Sequence, residues 1–90
     1  MNPQRVEKIR TALVAAFAPE TLDVRDDSHR HAGAQDGRGH FHVEIVSDAF
    51  VGLTPLARHR AVYAAMGELM RTDIHALSIV ARTPAESAGD

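Results

Sequence analysis

A chain of 90 residues that is 44% hydrophobic can enclose one core, so a single small domain with room for one site is expected. It contains no cysteine, which excludes disulfides, thiolate catalysis and any metal centre built on its own thiolates. Ten basic residues against twelve acidic ones, a formal net charge of -2, remove the global attraction to phosphate backbones that nucleic-acid binders usually show.

Asn2-Pro3 is a helix start, with Asn able to cap free N–H groups and Pro tolerated where no N–H is needed. Val6, Ile9, Leu13 and Phe17 then step by three or four and form one apolar stripe, and Pro19 ends the run. Arg5, Glu7, Lys8 and Arg10 interrupt the same stretch, so it has no signal-peptide pattern. With no long apolar run anywhere, a cytoplasmic chain with no membrane segment is expected. Over residues 21–27, Leu22 and Val24 alternate with Asp23 and Arg25, the period of a strand with one wet face. The pattern returns over 40–47, where Phe41, Val43 and Ile45 share one face and His42 and Glu44 the other.

The segment 28–39 between these strands is much longer than the two to five residues a hairpin needs, and loops of that length are usually functional or disordered. Three glycines give it mobility, and His29, His31 and His40 place imidazoles on or beside it. Thr54-Pro55 repeats the helix start, and the spacing predicts a second helix running to about Arg71. Val62, Met66 and Leu69 mark its apolar face, and Leu56, Tyr63 and Met70 an adjacent stripe, so most of this helix is expected to pack. His59 shares the spacing of Val62 and Met66 and reads as a packing or capping residue. Ile74-His75-Ala76-Leu77-Ser78-Ile79-Val80 reads as a buried strand with a titratable side chain at its mouth, where the sheet can hold it rigidly for a metal or a partner. A lone histidine there is more often a hydrogen-bonded structural residue than a ligand. The domain is expected to span 1–84, with a frayed, flexible tail over 85–90. Helix, strand, strand, helix, strand gives an α+β, two-layer αββαβ domain, a three-stranded mixed sheet covered on one face by helices.

Three groups of residues in this frame resemble a known family in type, order and spacing. Asp27-Ser28-His29-Arg30-His31, Phe50-x-Gly52 leading to Arg58-His59-Arg60, and Ile74-His75-Ala76-Leu77-Ser78-Ile79 followed by Thr83-Pro84 resemble the BolA family, from Arg5 to Pro84. Longer members continue into a further helix where this chain has a short tail. The resemblance implies a fold similar to type II KH domains and a partnership with a monothiol glutaredoxin, the two proteins sharing a bridged [2Fe–2S] cluster in iron–sulfur trafficking or iron sensing. It also implies the ligands: His75 from the strand, and from the loop His31, with His40 as a nearby substitute. The glutaredoxin cysteine and a glutathione thiolate would complete the set. Two imidazoles in place of two thiolates make a cluster less negative and raise its potential. Because each imidazole must be neutral at its coordinating nitrogen, cluster binding is expected to weaken as pH falls through the imidazole range.

The alternative is a KH-like DNA-binding regulator, with Arg58 and Arg60 as a small basic spot for DNA or a protein partner. KH domains clamp the backbone with a GXXG loop between helices, and no such motif stands at a helix junction here. Zinc on His29-x-His31 or His40-x-His42 is a further rival, with no carboxylate or thiolate in a recognisable motif to complete it. No nucleophile–base motif or cofactor fingerprint is present, so no enzyme is expected.

Overall fold

The computed structural model describes residues 3–28 and 38–89. Its elements are α1 (Pro3–Phe17), β1 (Thr21–Asp26), β2 (Gly39–Val46), α2 (Pro55–Met66), α3 (Leu69–Thr72), β3 (Ile74–Arg82) and α4 (Pro84–Ala88), with a 3-10 turn over Asp48–Phe50. The strands form one mixed sheet in the order β1-β2-β3. β2 pairs antiparallel with β1, Thr21 opposite Val46, and parallel with β3, Phe41 opposite Leu77.

The period-two and helical patterns converge on one side of this sheet. Phe41, Val43 and Ile45 of β2, Val24 of β1 and Leu77 of β3 form a single buried cluster with Ile9 and Leu13 of α1 and Val62 and Met66 of α2. Both helices therefore cover the same face. Burying one such large apolar side chain contributes about 1.5–3 kcal/mol, so this one cluster is the main source of stability. The other face is polar: His42 lies between Ser78 and Glu44, its Nδ1 3.1 Å from Ser78 Oγ and its Nε2 3.0 Å from Glu44 Oε2.

The Phe50-x-Gly52 motif has a local explanation. Val51 is extended (φ -61, ψ 129), Gly52 has φ +83, and the Leu53 N–H donates to the Phe50 carbonyl at 3.1 Å. That is a type II turn, whose third position requires the left-handed conformation that glycine adopts without strain. The turn drives Phe50 fully into the core, where its ring lies 5.0 Å from that of Phe17. Ser47, buried at 1% exposure, joins the same corner: its hydroxyl donates to the Phe17 carbonyl at 2.6 Å and accepts from the Ala49 N–H at 3.0 Å.

Three expectations for the C-terminal half are corrected. The second helix ends at Met66, because Gly67 takes φ +53, and a separate turn, α3, follows; the apolar residues Leu69 and Met70 continue the helical spacing across the break and hide it. The stripe of Leu56 and Tyr63 is not packed away, at 59% and 40% exposure, and His59 is exposed rather than a packing residue. Val62 and Met66 turn inward, and His59 precedes Val62 by three residues, which leaves it at the margin of the buried face.

The tail, expected to fray, is instead held as α4. Thr83 and Glu86 form a capping box, the Thr83 hydroxyl accepting from the Glu86 N–H at 3.2 Å and a Glu86 carboxylate oxygen from the Thr83 N–H at 2.9 Å. Arg58 then binds both Glu86 oxygens, at 2.7 and 3.0 Å, and also donates to the carbonyls of Leu53 and Ala81. Four polar residues over 83–90 look like a frayed end in sequence, but two of them, Thr83 and Glu86, are a cap and a clamp.

Ser47→Ala should lower unfolding stability by about 1–3 kcal/mol, since it removes a cap and takes the hydroxyl donor from the part-buried Phe17 carbonyl; urea denaturation measures it. His59→Ala should change stability by no more than about 0.5 kcal/mol, as for exposed positions generally. The Arg58 guanidinium, and then the Thr83 N–H, hold the Glu86 carboxyl down from 4.5 to about 2. A carboxylate with a lowered folded-state value stabilises above its ordinary range, and this contribution is lost as pH falls from 4.5 toward 2. Thermal unfolding of Glu86→Gln should therefore show a smaller fall in Tm than the native chain across that acid window, and a lower Tm at neutral pH.

Candidate metal centre

The start of the sheet's parallel pair brings two imidazoles together. Gly39 lies opposite Ile74, but the next residue, His40, lies opposite Ala76. The register therefore skips His75, making it the inserted residue of a bulge, the kind of irregularity that re-aims a side chain at the rim of a sheet. The His40 and His75 rings are 5.0 Å apart between centroids and inclined by 48°. His75 is exposed and His40 half-buried, so the pair is anchored on strands yet open to an incoming group. A pocket of about 230 Å³ bordered by Asp27, His40, Phe41, Ala76, Leu77 and Ser78 lies alongside.

Each strand end is fixed by further bonds. The Gly39 N–H donates to the Asp73 carbonyl at 2.9 Å, joining the residue just before His40 to the one that precedes Ile74 and His75. The His40 N–H donates to Ser28 Oγ at 3.0 Å, and the Ser28 N–H donates to Asp26 Oδ1 at 2.8 Å. The Asp73 side chain is 9% exposed and meets Arg5 at 3.3 Å and Lys8 at 3.4 Å, both from α1. The Thr72 hydroxyl, together with these two cations, holds its carboxyl below the usual carboxylate range against the opposing effect of burial.

Of the expected ligands, His75 and His40 are thus neighbours. His31, with His29, lies outside the described residues. The resemblance placed the second ligand in the loop at His31 and made His40 a nearby substitute; a strand register is not visible in composition, and Gly39, which leaves no room for a side chain, stands at the bulge. Among the described residues no group of three or more His, Asp or Glu side chains could hold a metal ion. The His40-x-His42 chelate is not assembled, since both ring nitrogens of His42 face Ser78 and Glu44. The Arg58-His59-Arg60 motif divides: Arg58, with its side chain 12% exposed, turns its guanidinium inward, and Arg60 is exposed on α2. No helix is long and apolar enough to cross a membrane among the described residues.

With this geometry in view, comparison with known proteins is direct. The family model described as BolA-like protein matches residues 13–86. BolA-like protein 1 of Homo sapiens is 49% identical over 78 residues, 87% of this chain and 57% of the human protein. The DNA-binding transcriptional regulator BolA of Escherichia coli is 41% identical over 83 residues, 92% of this chain and 79% of the regulator. The chain spans rather more than half the length of the BolA-like protein 1 relatives it matches. Among solved structures, the BolA domain of SufE1 from Arabidopsis thaliana superposes with a TM-score of 0.87 at 42% identity, covering 96% of this chain and 99% of that domain. The α+β architecture, the three-stranded mixed sheet and the sequence together place the chain in the BolA family.

Proposed function

We propose that this BolA-family domain partners a monothiol glutaredoxin and shares with it a bridged [2Fe–2S] cluster through histidine ligands, serving iron–sulfur trafficking or iron sensing. The observation that carries the reading is the His40–His75 pair, two imidazoles 5.0 Å apart at the rim of the sheet. The donor chemistry fits: a [2Fe–2S] unit with two imidazoles on one iron takes two thiolates on the other. A chain without cysteine cannot supply those, so the partner's cysteine and a glutathione thiolate do. His75 is one ligand. The other is His31 of the loop or His40 of β2, and the described geometry favours His40. When bound, the cluster supplies iron–sulfur redox chemistry at a potential raised by imidazole ligation. The residues of this chain hold the two rings in place, and Arg60 on α2 lies exposed for contact with the partner. We read the αββαβ fold as type II KH-like.

A second reading is DNA binding, favoured by the name of the Escherichia coli relative. Against it stand the net charge of -2 and the inward engagement of Arg58. Titrations at varied salt separate the two, because phosphate contacts impose a steep salt dependence that cluster sharing does not.

Anaerobic reconstitution with a monothiol glutaredoxin, glutathione, iron and sulfide tests the proposal. A one-to-one heterodimer carrying iron and sulfide is expected, and the protein alone should hold no stable cluster. Iron and sulfide co-eluting with the isolated protein would contradict it. His75→Ala should remove the histidine-ligated visible circular dichroism altogether. His40→Ala and His31→Ala, measured singly and together, identify the second ligand; loss with His40→Ala alone is expected, and unchanged spectra in all four variants would sink the ligand assignment.

A further inference from the structure

The two histidines stand side by side where the parallel pair slips by one residue, and the strand ends at that slip have a visible frame. We propose that Gly39 and Asp73 are positioning residues for the His40–His75 pair, clamping the strand ends so that the bulge presents His75 beside His40. The inference rests on the cluster-sharing reading for its functional meaning, and on geometry for its structural content.

Gly39 is fixed from three sides. Its N–H donates to the Asp73 carbonyl at 2.9 Å. A Cβ at this position would stand 2.6 Å from Ser28 Oγ and 2.8 and 2.9 Å from the Phe41 ring. Neither neighbour yields easily: Ser28 Oγ is the acceptor for the His40 N–H, and Phe41 is 2% exposed in the core. Only a residue without a side chain lets β2 begin this close to β3, and any other would push Gly39 off Asp73 and change the register that skips His75. Asp73 is fixed in turn by Arg5 and Lys8 of α1 on Oδ2 and by its neighbour Thr72 on Oδ1. This pins the residue that precedes Ile74, so the ring of His75 inherits its place from an ion-pair cluster on the first helix. Groups that orient metal ligands in this indirect way commonly change affinity by about 10–100-fold when altered.

Two variants and two readouts test the proposal. In Gly39→Ala and in Asp73→Asn, the nuclear Overhauser contact between the His40 and His75 ring protons, measured on the protein without metal, should be lost. The backbone spectrum of core residues such as Ile45 and Val62 should persist. In the reconstituted glutaredoxin complex the same variants should weaken cluster retention by about tenfold or more and alter the visible circular dichroism. Asp73→Asn keeps the backbone carbonyl and side-chain size, so it reports even if Gly39→Ala does not fold. Native ring contacts and native cluster spectra in a folded Asp73→Asn variant would overturn the proposal. If the native protein itself takes up no cluster, the cluster-sharing reading falls, and the ring contact alone still decides the positioning role.

Discussion

The constraint on which this molecule depends is the double pairing of β2. An antiparallel neighbour on one side can be reached by a turn, but a parallel neighbour on the other requires the chain to travel back along the sheet before it can pair. That return is the connection from Asp48 through α2 and α3 to β3, and it sets where everything else lies. The buried Ser47, the type II turn at Gly52 and the capped start at Thr54 turn the chain out of β2 and into α2. Gly67 ends α2 soon enough for α3 to bring the chain down to Asp73. Through its ion pairs with α1, Asp73 closes the circuit between the first helix and the last strand.

The site follows from the same pairing. At the start of a parallel pair two strand ends come side by side, and the residues there can be contributed by parts of the chain far apart in sequence. His40 and His75 meet in this way, 35 positions apart by their numbers. Strand placement gives two imidazoles a separation set by the sheet rather than by loop motion. The chain offers imidazole nitrogens and no thiolate.

Much of the architecture was legible in the amino-acid sequence because burial leaves a period. Ile9 and Leu13 announced α1, and Phe41, Val43 and Ile45 announced β2, since each period matches a face that the core needs. The failures share a different cause. Gly67 breaks α2 inside a run whose apolar spacing continues, and only its positive φ reveals the break. Glu86 and Arg58 belong to segments that look solvated when read alone, yet they bind each other across 28 positions. The candidate site was half legible: residue type and strand placement picked out His75, but the choice of His40 as its neighbour depends on how β2 is set against β3, and a register is a relation between strands that no single stretch encodes.

The polar contacts of α1 and α2 have one more consequence, for the solution behaviour of so small a sheet. A three-stranded sheet has two outer strands whose outward carbonyls are ready templates for another chain. On β1, Arg10 of α1 donates to the Leu22 carbonyl at 3.3 Å. On β3, Tyr63 donates to the Leu77 carbonyl at 3.3 Å and Arg58 to the Ala81 carbonyl at 3.1 Å. Each border of the sheet is thus fenced by side chains reaching over from the helical layer. The same helices that supply the core also occupy carbonyls on both outer strands that an added strand would need.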